Sequence, residues 1–97
     1  MLPATDAATD IGRQLSRAAT SVGANYRAAC RARSDEEFAA RIGVVLEEAD
    51  ESSFWLEIVT EDGISKCQLA FRLLDEANQL TAIFAASSIT VGQRLGK

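Results

Sequence analysis

Glu47, Glu48, Asp50 and Glu51 form the densest group of acids in the chain. Grouped carboxylates are the raw material of a divalent-cation site or of an acid–base pair. On a helix turning about 100° per residue, however, Glu47 and Glu48 diverge, and the acids do not converge on one point. Glu48 falls beside Ser52 at the edge of an apolar stripe, where a half-buried carboxylate needs a cationic partner. Arg13, Arg17, Arg27 and Arg31, clustered on one side of an earlier helical stretch, can supply it. Arg17, Glu48 and Glu51 are therefore read as ionic contacts between helices. Asn25, at the margin of the apolar stripe on the arginine-bearing helix, is read as a polar contact that fixes register with a neighbour.

The arginine face has a second possible chemistry. Guanidinium groups aligned along one side of a helix match a phosphate backbone. A sequence pI ≈ 4.7 and the lack of aromatic side chains between the arginines speak against a dedicated nucleic-acid binder. Nucleic-acid contact through Arg13, Arg17, Arg27 and Arg31 is kept as the alternative reading.

The chain has no histidine. That excludes Ser-His-Asp and Cys-His nucleophile systems, His-ligated metal sites and the Glu-x-x-His pair of carboxylate-bridged di-iron bundles. No glycine-rich phosphate loop is present either. The expectation is a protein that is not an enzyme, with no catalytic residue, metal or cofactor. Cys30 and Cys67 are read as packed or idle thiols rather than a disulfide. No window approaches the roughly 18 apolar residues of a membrane span, and no signal peptide opens the chain. The expected address is the cytoplasm.

These residues need helices to position them. Gly and Pro are scarce, at six and one, whereas Ala-, Glu- and Arg-rich stretches favour helix. The spacing predicts three helices, over about 10–31, 34–61 and 65–91. The first puts Ile11, Leu15, Ala18, Val22, Tyr26 and Ala29 on one stripe and the arginines behind it. Gly12, Ser16, Ala19, Gly23 and Cys30 form a flank of small residues where another helix could come close.

The second helix opens on Ser34-Asp35-Glu36-Glu37, which reads as a capping box, and stops at Gly63. Its main stripe is Phe38, Ile42, Val45, Ala49, Leu56 and Val59. A second apolar surface of Val44, Phe54, Trp55 and Ile58 lies on a different side. One core requires only one stripe, so the second is read as an oligomer interface. The third helix starts at Ser65 with Gln68 completing a capping box and Ile64 and Leu69 as a staple. Leu69, Ala70, Leu73, Leu74, Ala77, Leu80 and Phe84 give it a broad apolar face, widened by Phe71. The pattern fades after Ile89, so Gly92–Lys97 is read as a frayed tail. Short links make consecutive helices antiparallel neighbours. The fold class is all-α, an antiparallel up-and-down bundle of one domain.

Charge is sorted along this framework. Five arginines and no acid lie between Arg13 and Arg33, whereas ten acids and a single base, Arg41, lie between Asp35 and Asp62. The net charge of −4 conceals this. Neighbouring antiparallel helices of opposite sign would partly neutralise one another.

The run Gln14-Leu15-x-Arg17-Ala18-Ala19-x-Ser21-Val22-x-x-Asn25, then Phe38, then Glu48-Ala49-Asp50-Glu51-Ser52-x-x-Trp55-Leu56, resembles the "four helix bundle protein" family, first read from intervening sequences inside 23S rRNA genes. The likeness covers most of the chain and is strongest from Ile11 to Gly63. It implies up-and-down bundles that assemble as homo-oligomers, typically pentamers, and no established biochemical activity. It also implies a further amphipathic helix before the Gln-Leu-x-Arg motif. Here Leu2-Pro3-Ala4-Thr5 looks like the loop that would follow it. On that reading, either the start lies further upstream or this is a three-helix version whose uncovered surface another subunit buries.

Overall fold

The computed structural model describes residues 6–61 and 68–96. Three helices follow in order: α1 (Asp6–Cys30), α2 (Asp35–Glu61) and α3 (Gln68–Arg94). The fold is an all-α bundle, with no strand among the described residues.

The element boundaries differ from the sequence reading at the start of α1 and the end of α3. α1 begins at Asp6, a turn earlier than the apolar stripe alone indicated, and Ala8 is buried. Alanine is apolar enough to pack yet too small to stand out in a hydropathy pattern. α3 continues to Arg94, so the segment from Gly92 is not a frayed tail up to that point. Val91 is buried and Leu95 packs against the core, which explains why the helix persists. Just past its end the chain turns at Gly96, whose φ of 77° is the left-handed geometry that glycine adopts without steric cost. Gly63, Ile64 and Ser65, the expected stop and start signals between the last two helices, lie outside the described residues.

The start of α2 follows its sequence. The Glu37 amide donates to Ser34 Oγ at 3.0 Å, satisfying one of the orphan N–H groups of the first turn. The Glu37 carboxylate reaches back to the Arg33 amide at 3.1 Å, one residue beyond the usual capping-box partner.

α2 is the centre of the bundle. Both α1 and α3 pack on it, and no Cα of α1 comes within 8 Å of one in α3 among the described residues. Its core-facing arc holds Ile42, Val45, Ala49, Leu56 and Val59, with Val45 and Val59 at 0% exposure. The main cluster gathers where the end of α1, the start of α2 and the end of α3 meet, and joins Ala29, Ile42, Val45, Phe84 and Val91. Arg94 pairs with Asp35 at 3.0 Å across that end. Both partners are largely solvated, so the pair contributes well under about 1 kcal/mol.

One core position works against stability. Ser53 Oγ is buried with no hydrogen-bond partner among the described residues. Removing an unsatisfied buried hydroxyl recovers its desolvation cost, so Ser53→Ala should stabilise the chain by about 1 kcal/mol. Urea denaturation followed by circular dichroism checks this, and a loss of stability would contradict it.

Candidate functional site

Arg17 reaches from α1 across to α2. Its guanidinium contacts Glu48 at 3.5 Å and makes a close contact with Glu51. Glu51 also accepts a hydrogen bond from Trp55 Nε1 at 3.3 Å, so one carboxylate joins the cation to the indole. Spacing of three and four residues along α2 brings Glu48, Glu51 and Trp55 to one edge. Arg17 holds the Glu51 carboxyl below the usual carboxylate range, with the Trp55 bond acting in the same direction. Glu51 raises the Arg17 pKa in return.

Asn25 does not join this network. Its amide donates to the Ser21 carbonyl at 2.9 Å and to Ser21 Oγ at 3.1 Å, back along its own helix. The expectation of a contact between helices at Asn25 is thus corrected. A serine one turn earlier offers two acceptors at no cost in chain ordering, and short polar side chains take such local partners readily.

Arg13, Arg27 and Arg31 are exposed on the outer side of α1, and none has an ion pair among the described residues. Neutralisation between the two oppositely charged helices is therefore confined to Arg17. The acids of α2 explain this: Glu47 and Asp50 point away from α1 and are exposed. No group of three potential metal ligands comes together among the described residues. No described helix is long and apolar enough to cross a membrane. Cys30 is free and exposed, while Cys67 lies outside the described residues. Tyr26, expected on the core stripe, is half exposed, although its ring lies 5.7 Å from that of Phe84. A hydrogen bond with Cys30 holds its phenol above the ordinary value.

The remaining surface is apolar, and it has two parts. On the outer side of α2, Phe54 is 51% exposed and Val44, nearly three turns earlier, is exposed too, while Trp55 and Ile58 are half buried. Phe54 and Trp55 meet edge to face, with centroids 5.0 Å apart. This convex ridge faces away from the core. The other part is concave. Because α1 and α3 stay apart, a groove of about 300 Å³ runs between them. Leu15 and Ala19 form one wall, Leu73 and Leu80 the other, and Ala49 and Leu56 the floor. Sequence reasoning did not foresee the groove. Two signals pointed to it: the small-residue flank of α1, which includes Ala19, and an apolar face on α3 broader than one neighbour can cover.

The family model described as 23S rRNA-intervening sequence protein matches residues 2–86. The chain belongs to this family. No curated protein and no solved structure gives a significant match. The bundle and the family agree with the likeness read from the Gln14–Asn25 and Glu48–Leu56 runs, and the chain presents three described helices.

The lowered Glu51 pKa sets a pH dependence. A carboxyl depressed in the folded state adds stability above the ordinary carboxylate range, and that contribution is lost as pH falls through the folded value. Acid should therefore loosen the α1–α2 contact at Arg17. Carbon-13 NMR titration should find Glu51 ionising below the usual range, with Arg17→Ala moving it upward. An unmoved Glu51 in that variant would show that Arg17 is not the cause.

Proposed function

We propose that this protein is a non-enzymatic, self-associating helical module that serves as a scaffold or protein-interaction unit in the cytoplasm. One observation carries the reading: the described chain leaves a groove and a ridge of apolar side chains in solvent on either side of α2. Leu80 is 46% exposed, and Ile83, Phe71 and Leu69 on the same helix are each about half exposed or more. At about 25 cal/mol per Å², covering a few hundred Å² of such surface contributes several kcal/mol, comparable with the whole stability of a small domain. Further copies of the chain can supply that cover, and the resemblance noted above implies homo-oligomers, typically pentamers. The reading needs neither metal nor cofactor.

Light scattering on the purified chain at micromolar concentration should return a mass several times that of one copy. Phe54→Glu, at a position exposed in the single chain, should reduce that mass without loss of helicity. A monomeric wild type would end the scaffold reading.

A second reading rests on Arg13, Arg27 and Arg31, which remain free of ion pairs among the described residues, whereas Arg17 is engaged by Glu48 and Glu51. The family name associates these proteins with ribosomal RNA genes, and three free guanidiniums on one helix suit a phosphate backbone. Binding to structured RNA should then weaken steeply with salt, and reversing Arg13, Arg27 and Arg31 to glutamate should abolish it. Absence of binding at low salt would end this alternative.

A further inference from the structure

We infer that the outer ridge of α2 is a docking surface for a basic amphipathic helix of a different protein. The inference rests on the protein-interaction reading above and names the chemistry of the partner. The centre of the ridge is Phe54, half exposed and set edge to face against Trp55, with Ile58 one turn on. Around that centre stand Glu47, Asp50, Glu57 and Glu61. At about 100° per residue, all four fall within about 60° of Phe54 around the helix axis. All four are exposed, and none has an ion pair among the described residues. α2 carries no base beyond Arg41. Glu51, at the margin of the ridge, is neutralised by Arg17.

The four free acids do nothing for the single chain. Glu47 with Asp50, and Glu57 with Glu61, are like charges three and four residues apart, which repel along a helix. The aromatic ring among them gives up the gain of burial. A partner that is both cationic and apolar removes both deficits at once, whereas a phosphate backbone or an anionic lipid surface has the wrong sign. Arginine or lysine laid on the Phe54 or Trp55 ring adds a cation–π contact. The indole is already held by its bond to Glu51, so this anchor needs little ordering on binding. A helix with an apolar stripe between basic margins repeats the ridge pattern with the charge reversed.

The arginine face of another copy does not match both features. Between Arg13 and Arg27 that face carries Thr20 and Ala24, and the large apolar side chains of α1 lie on the opposite stripe. It would bring charge to the acids and nothing to cover Phe54. Copies that meet on the ridge are therefore displaced by a partner that carries the two features together.

Two synthetic helical peptides of about 18 residues, long enough to span the ridge at about 1.5 Å per residue, test this on the full chain. One has a leucine stripe between lysines; in the other, serine replaces every leucine. Trp55, the single tryptophan, reports binding through its emission. The lysine–leucine peptide should shift that emission at low salt, and raising the salt should weaken it about tenfold or more. Asp50→Lys with Glu57→Lys should also cost about tenfold, with helicity unchanged by circular dichroism. Asp50→Asn with Glu57→Gln should act in the same direction and serves if the reversal disturbs α2. Asp75→Lys with Glu76→Lys makes the same change in net charge at exposed positions of α3, Glu76 being on the groove wall, and should leave affinity within about twofold. No response of Trp55 at low salt overturns the inference. Equal binding of the serine peptide also overturns it, because charge alone then suffices. An equal loss in the α3 pair does the same, by moving the site off the ridge. A monomeric wild type that binds the peptide removes self-association and leaves the docking surface; an assembled wild type that does not bind it does the reverse.

Discussion

Everything in this structure depends on α2 serving two neighbours at once. α1 and α3 both pack on its core-facing arc, and their backbones do not meet. An arc that wide on one helix can bury Ile42, Val45, Ala49, Leu56 and Val59 completely. It cannot also bury the whole apolar faces of both flanking helices, because each of those faces is broad enough to need a second contact. Where side chains are large, as with Phe84 and Val91 near the end of α3, they bridge the gap and the core closes. Further along, where α1 and α3 flank Ala49, Ser52 and Leu56 of α2 without meeting, the groove remains.

The polar contacts play a different part. Arg17 with Glu48 and Glu51, and Arg94 with Asp35, all lie at the bundle surface, where ion pairs contribute little net stability. Their geometry is nevertheless specific. Arg17 links α1 to the midpoint of α2, and Arg94 links the end of α3 to its start. A slip of either flanking helix by one turn, about 5.4 Å, would break the corresponding link. These contacts mark register more than they add stability.

Much of this was legible in the chain. Periodicity identified the three helices and the core stripe of α2, and Ser34 with Glu37 marked where α2 starts. The run from Gln14 to Asn25 carried the family likeness. Legibility failed where the deciding quantity was three-dimensional. Asn25 looked like a contact between helices because its helical position suits one, but Ser21 satisfies it locally. The end of α3 looked frayed because glycine, glutamine and arginine dilute its pattern, yet Val91 and Leu95 fall on the packed face. Tyr26 sits on the right stripe and is still half exposed, although its ring meets that of Phe84 at a tilt. The groove was the hardest to see. Spacing within a helix says which residues share a face, but not how far apart two helices stand.

The sorting of charge along the chain takes its meaning from that separation. Had the opposite signs of α1 and α2 evolved to hold the two helices together, the arginines would face the acids, and Arg17 alone does so among the described residues. Arg13, Arg27 and Arg31 turn outward on one side, and Glu47 and Asp50 turn outward on another. Within a single chain this arrangement gives almost no energy, because solvated charges at such distances are screened over about 8–10 Å. Between molecules it has a direct consequence. Two faces of the same sign repel on approach, faces of opposite sign attract, and the apolar surface between them is protected from indiscriminate contact. Apolar area without such charges would invite aggregation in any orientation. With them, the orientation of approach becomes the quantity that the sequence controls, and the uncovered apolar surface becomes selective.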